Sequence, residues 1–310
     1  MQGATGPLPQ TAATGIANGL RNSIASARLA ELEQAYAAAV RAKRRALAVF
    51  FGVVAVLVLV TGWVGEVNPG MLWNNAWRLP AYVARTVPDL HWVTLGADLA
   101  EWYWGLARWL RLLWETLLIA YAGTVLGTIG AFVLCFLASA NLMPSRTLVF
   151  ATRRYMELCR TVPEMVFALI FVIAFGLGPL PGVLAIVIHT VGALGKLFSE
   201  VVENIDMKPV DGVTATGANR TEVIRHAVVP QVLPNFASYT LLRFEINVRS
   251  AAIMGFVGAG GIGQELLEAV RKFYYTDVSA IILLIMATVM LIDIATERLR
   301  HALSDVSAVS

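Results

Sequence analysis

ALAVFFGVVAVLVLVTGWVG, residues 46–65, carries no charged side chain. It matches the roughly 20 residues that a helix needs to cross the hydrocarbon of a bilayer. The run begins too far along the chain for a cleavable signal peptide, whose apolar core falls within about the first 30 residues. It therefore reads as a true span. Arg41, Lys43, Arg44 and Arg45 stand just before it, and the positive-inside rule places that side, with the amino terminus, in the cytoplasm.

The rest of the chain supports a membrane setting. Over 310 residues, 57% are hydrophobic and 15% charged, with a mean hydropathy of +0.67, outside ordinary soluble composition. The net charge of +3 is too small to suggest nucleic acid, and the basic residues flank apolar runs. Cys135 and Cys159 lack any metal or redox spacing and read as small buried hydrophobes, and His91, His189, His226 and His301 are too scattered for a metal site.

Further apolar runs at 112–139, 163–178, 181–199, 236–257 and 278–296 bring the expected spans to about six. An even number returns the carboxyl terminus to the cytoplasm, as Arg298 and Arg300 after the last run also indicate. The fold class is all-α, a polytopic membrane protein. Its expected parts are a cytoplasmic segment 1–45, the first span 46–65, an external segment 66–111, a helical core 112–300 and a tail 301–310. Ile24, Leu29, Leu32, Tyr36 and Val40 suit either a helix lying on the membrane surface or a polar extension of the first span.

The external segment holds Trp73, Trp77, Trp92, Trp102, Trp104 and Trp109, with Trp114 just beyond. Such indoles suit the headgroup region, so short helices against the outer leaflet are expected. GLGPLPG, residues 176–182, should turn the runs 163–178 and 181–199 into a hairpin. Gly123, Gly127, Gly130, Gly192 and Gly195 within the runs should let helices approach closely.

Two motifs are decoys. GAGGIG, residues 258–263, satisfies the dinucleotide pattern literally, but membrane spans flank it where a βαβ unit is required. Gly195-Lys196 lacks the Ser/Thr that a phosphate loop needs next, Leu197 standing there. No hydrolytic site and no cofactor is expected in this chain.

One polar insert interrupts the apolar core: DGVTATGANRTEVIRHAVVPQVLP, residues 211–234, within an expected cytoplasmic loop 200–234. Pro209 fits the first turn of a brief helix and Gly217 its left-handed end. Asn219 and Glu222 have capping-box spacing for a second helix, which Pro230 and Pro234 should close. The bend carries small residues, Gly212, Ala215, Gly217 and Ala218, flanked by Arg220, Glu222 and Arg225. Such a bend suits close docking of another surface with charge-assisted contacts fixing its register; a passive connector is the plainer alternative.

LLRFEINVRSAAIM, residues 241–254, puts Arg243, Glu245 and Arg249 inside an expected span, where ionisable groups are costly and point to function or pairing. Glu245 and Arg249 can pair at i, i+4, and two arginines against one glutamate leave a positive excess that could ease an anion through low dielectric. Alternatively Arg243 snorkels to the inner surface and the pair only fixes helix packing. His189, in mid-span, either lines the path or bonds between helices.

The insert also carries a family resemblance. DGV, three residues, Gly217, nine residues and AVVP reproduce the EAA-x3-G-x9-I-x-L-P spacing of the cytoplasmic loop of binding-protein-dependent ABC importer permeases. Asp211, Gly212 and Val213 replace Glu-Ala-Ala, Ala227 and Val229 replace Ile and Leu, and Gly217 and Pro230 are kept. ETLLIAYAGTVLG (115–127), CRTVPEMVFAL (159–169), GALGKLFSEVVENID (192–206), VLPNFASYTLLRFEINVRSA (232–251) and GFVGAGGIG (255–263) resemble the phosphonate-type branch in order along the chain.

The resemblance implies a type I importer permease in the bacterial plasma membrane. It would work as a homodimer, with two cytoplasmic ATP-binding subunits that use ATP and Mg, an extracytoplasmic solute-binding protein, and phosphonate, phosphite or phosphate as cargo. Asp211, Gly212, Val213, Gly217, Ala218, Arg220, Glu222 and Pro230 would form the loop that docks the ATPase, and Arg243, Glu245, Arg249 and His189 are candidates for the pathway. Another small solute such as methionine is the alternative within the class. A secondary transporter or channel relaying protons through Glu245 is the rival outside it.

Overall fold

The computed structural model describes the backbone of residues 10–309 and the side chains of residues 36–302, Leu72 and His301 excepted. Among the described residues every regular element is helical. The chain divides into two units at Leu79/Pro80.

The first unit is dominated by α1 (Gln10–Val64), which contains the span Tyr36–Val64. Phe50, Phe51, Leu59 and Trp63 along the span are exposed, as contact with acyl chains requires. Because α1 runs unbroken, the segment before the span is an extension of it and not a separate surface helix; Ile24, Leu29 and Leu32 lie outside the described side chains. A short α2 (Pro69–Asn75) follows, with proline in its first turn and Asn68 accepting a hydrogen bond from the Met71 amide at 3.1 Å.

Next come α3 (Arg78–Thr86) and α4 (Leu95–Trp102), and then the bundle: α5 (Leu106–Ala138), α6 (Arg146–Thr161), α7 (Glu164–Phe175), α8 (Pro179–Glu203), α9 (Met207–Ala215), α10 (Arg220–Val223), α11 (Val229–Met254), α12 (Ile262–Arg271) and α13 (Tyr275–Val309). Four helical stretches among the described residues are long and apolar enough to cross a membrane: Tyr36–Val64, Leu106–Ala138, Pro179–Glu203 and Tyr275–Arg300. α11 has the length but carries Arg243, Glu245 and Arg249.

The expected span at 163–178 does not form as one helix. α7 has 12 residues, too few to cross alone. It meets α6 at an 84° break, and only the bent pair together makes a fifth candidate. Pro163 supplies the cause, since it has no N–H to continue α6 and pushes Val162 into extended backbone.

α8 is the axis of the bundle, packed against α5, α6, α7 and α11. The glycines explain how closely. A Cβ on Gly123 would lie 2.5 Å from Ile186, one on Gly127 2.6 Å from Thr190, and one on Gly192 2.6 Å from the Met156 carbonyl. Near the far end of α8, Phe198 stacks on Phe236 of α11 with ring centres 3.9 Å apart.

The tryptophans divide. Trp73, Trp77, Trp92 and Trp114 are exposed, as an interfacial belt needs, but Trp109 is buried. Trp102 and Trp104 donate their indole N–H groups to the start of α13, at Thr276 O and Asp277 Oδ1, both at 3.1 Å. α5 begins at Leu106, several residues ahead of the expected span, which carries Trp109 into the bundle.

Candidate coupling loop and intramembrane polar cluster

The loop after α8 is two short helices around a bend. Asp206 caps α9 by accepting from the Lys208 amide at 3.0 Å. Gly217 closes the turn at φ +82°, a conformation costly for any residue with a Cβ. Asn219 and Glu222 then form the full capping box: the Asn219 side chain accepts from the Glu222 amide at 3.0 Å, and the Glu222 carboxylate accepts from the Asn219 amide at 2.7 Å.

Pro230 and Pro234 do not close the second helix. α10 passes through a π-helical turn (Ile224–Val228) into α11, where Pro230 occupies the first turn, needing no amide donor, and Pro234 lies inside the helix.

The outer side of this elbow is open. Asp211, Gly212, Gly217, Arg220, Glu222 and Pro230 are exposed, and Val213 and Ala218 are half-buried. Its inner side is fixed. Val210, Val223, Ala227 and Val228 are buried in one apolar cluster with Leu194, Phe198 and Phe236 of the bundle. Polar ties brace it further. Gln231 donates to Asp206 O at 3.2 Å and accepts from the Asp206 amide at 3.1 Å, and Arg220 donates to the Leu142 carbonyl. The elbow is a braced knob on the end of the bundle.

Three of the four pathway candidates occupy two faces of α11, because residues four apart share a helix face and residues two apart do not, and the fourth, His189, lies on α8. On one face Arg243 is buried and reaches toward α8 and α7. Its Nη2 lies 2.5 Å from Glu164 Oε1 and 2.5 Å from His189 Nδ1, and His189 Nδ1 lies 2.8 Å from Glu164 Oε1. Ser250, on the same face of α11 as Asn247, is within electrostatic reach of the Glu164 carboxylate. Asn247, fully buried one turn beyond Arg243, donates to Thr124 Oγ1 at 2.8 Å and Thr190 Oγ1 at 3.0 Å. Arg243 therefore does not snorkel, and His189 bonds between helices.

On the other face Arg249 pairs with Glu245 as the spacing predicts, and Glu245 also meets Asp293 of α13. The expected excess of positive charge is thus cancelled locally: each arginine has its own glutamate. Glu164 was the missed member. Its sequence signal is the proline before it, which sets an acidic residue at the start of an apolar helix.

GAGGIG is a structural turn. The Gly261 amide donates to Glu115 Oε1 at 3.2 Å and the Ile262 amide to Thr116 Oγ1 at 2.9 Å, and a Cβ on Gly261 would lie 2.4 Å from that threonine oxygen. The turn is how α12 is fastened to α5.

Comparison with known proteins agrees with this architecture. The chain is 38% identical over 247 residues to the phosphite transport system permease protein PtxC of Stutzerimonas stutzeri, covering 80% of this chain and 84% of that one. It is 40% identical over 188 residues to the phosphate-import permease protein PhnE of Mycolicibacterium smegmatis, covering 60% of this chain and 35% of that one. The resemblance to the phosphonate-type branch is borne out by these relatives. A chain of the MetNI methionine ABC transporter, solved in inward-facing conformations, superposes with a TM-score of 0.56 at 21% identity, over 64% of this chain and 96% of that one, and shares its fold. Residues 123–305 match the family described as binding-protein-dependent transport system inner membrane component, and the chain belongs to that family.

Proposed function

We propose that the chain forms the translocation pathway of an ATP-driven importer for a small phosphorus oxyanion, phosphite, phosphate or a phosphonate. It would pair with a second copy of itself, with two cytoplasmic ATP-binding subunits below and an extracytoplasmic solute-binding protein above. The cargo is suggested by the relatives, whose names specify phosphite and phosphate. The amino and carboxyl termini and the elbow 207–223 lie on the cytoplasmic side, as the basic residues flanking the spans indicate.

The observation that carries the coupling is the elbow's construction. An exposed bend of small residues sits on a buried apolar base and is continuous through the π turn with α11. A soft connector would absorb the movement of a docked subunit; a braced knob passes it on. ATP binding draws the two ATPases together, the knobs follow, and the helices joined to them change which side of the pathway is open. Arg243, His189, Glu245 and Arg249 are the polar groups such a movement would rearrange.

The test is reconstitution. Vesicles holding this permease and its ATP-binding subunit should take up labelled phosphite, phosphate or methylphosphonate only with ATP inside and the binding protein outside. The permease mass in the purified complex should equal two copies of this chain. Uptake without the ATP-binding subunit would remove the proposal, and a second permease of different sequence in the complex would replace the homodimer.

A further inference from the structure

We infer that Glu164 is a resident stand-in for the transported anion: its carboxylate occupies the donor set that a phosphorus oxyanion would use, and passage requires the anion to replace it. The inference rests on the import function proposed above.

The donors come from two helices that are bonded to each other. α11 supplies the Arg243 guanidinium, with the Ser250 hydroxyl nearby on the same face, and α8 supplies the His189 imidazole, whose Nδ1 serves the carboxylate as a donor in the tautomer protonated there. Thr190 of α8 ties the two together, accepting from Asn247 at 3.0 Å and from Arg243 Nε at 3.5 Å. The acceptor comes from a third segment. Glu164 is the first residue of α7, directly after Pro163 and the 84° break. The donor frame and the carboxylate are therefore mounted on separate pieces of chain.

A guanidinium, an imidazole and a hydroxyl converging on one carboxylate are also what a tetrahedral oxyanion with several acceptor oxygens needs. Exchanging the carboxylate for the singly charged form of the oxyanion leaves the cluster's charge unchanged, which matters where an uncompensated charge is expensive. A bare Arg243 would not wait in low dielectric; Glu164 keeps it neutralised between passages. The three ionisable side chains retain 10–19% exposure in the single chain.

The experiment uses the full permease with its ATP-binding subunit in vesicles, binding protein outside and unlabelled phosphite loaded in the lumen. Wild type must take up labelled phosphite; if it does not, the import function itself is wrong. In Glu164→Gln the competing charge is gone, so the anion is held longer, and luminal phosphite should inhibit uptake at about one tenth of the wild-type concentration, the equivalent of about 1.4 kcal/mol. Adding Ser250→Ala to Glu164→Gln removes a hydroxyl from the anion alone, the resident carboxylate being gone, and should raise the inhibitory concentration again. No shift, or shifts in the same direction, would overturn the inference.

The double variant Glu164→Arg with Arg243→Glu separates a packing role from anion exchange. It restores an ion pair but presents a carboxylate from the donor frame, so it should co-purify with the ATP-binding subunit and lose phosphite uptake. Uptake at the wild-type rate would mean that the pair only holds helices together. If this double variant does not assemble, the luminal inhibition of Glu164→Gln with and without Ser250→Ala decides the matter.

Discussion

Two glycines five positions apart in the elbow offer a matched experiment. Gly217 has φ +82° and a Cβ there would meet nothing within 4 Å, so Gly217→Ala introduces no clash and its cost is the left-handed backbone alone, about 1–2 kcal/mol. The elbow should then open roughly 5–30 times more often. Gly212 lies inside α9 with equally free surroundings. There alanine is the better helix former by about 1 kcal/mol, so Gly212→Ala should make opening about fivefold rarer. Yet both variants add the same methyl group to the exposed side. Hydrogen exchange of peptides 207–223 in the free permease reads the first effect, and titration with the ATP-binding subunit reads the second. Exchange should move in opposite directions while affinity falls in both. If exchange moves the same way in both variants, the conformational reasoning is wrong; if neither loses affinity, this side of the elbow is not where the ATPase docks.

Gly192→Ala would force a Cβ to 2.6 Å from Met156 O and 2.9 Å from Arg160 N, both backbone atoms; α6 and α8 must part, at about 1–3 kcal/mol, and the midpoint of thermal unfolding in detergent should fall. Thr190→Val removes the acceptor shared by Asn247 and Arg243 and should lower stability against denaturant in micelles by about 0.6–1.7 kcal/mol; no change would mean that Asn247 finds another partner. At the start of α4, Asp98 accepts from the His91 amide at 2.8 Å and from the Thr94 hydroxyl at 3.1 Å, which holds its carboxyl below its ordinary value. A depressed folded pKa gives stability that is present above the unfolded value, about 3.9, and lost as pH falls through the folded one. Exchange protection around residues 91–98, corrected for intrinsic rates, should therefore hold at pH 6 and decline below pH 4.

What was legible in the sequence was local. Asn219 and Glu222 are three positions apart, so their reciprocal bonds follow from spacing, and the same holds for Glu245 with Arg249. The glycines of α5 and α8 announce close packing because lipid gives helices no other strong reason to carry them. What was not legible depends on partners distant in the chain. Glu164 bonds to Arg243 from 79 positions away, and no period or motif records that contact, so the sequence shows a surplus of arginine around residue 245 that the fold cancels. Pro230 and Pro234 read as stops because propensity sees the missing amides. The π turn before them, which lets the chain continue, is a tertiary accommodation supported by the buried side chains of Ala227 and Val228.

The unbroken passage from the π turn into α11 gives the molecule a lever arm. From Val229 to Arg243 the helix extends about 20 Å at its rise per residue, while Glu164 belongs to a different rod. A tilt of about 10° at the base would swing the guanidinium by about 3.5 Å, the product of that length and the angle, further than the 2.5 Å now separating it from the carboxylate. A modest shove at the foot of the helix is thus geometrically enough to unclasp the charges, and no side chain along the way has to change its rotamer to carry the message.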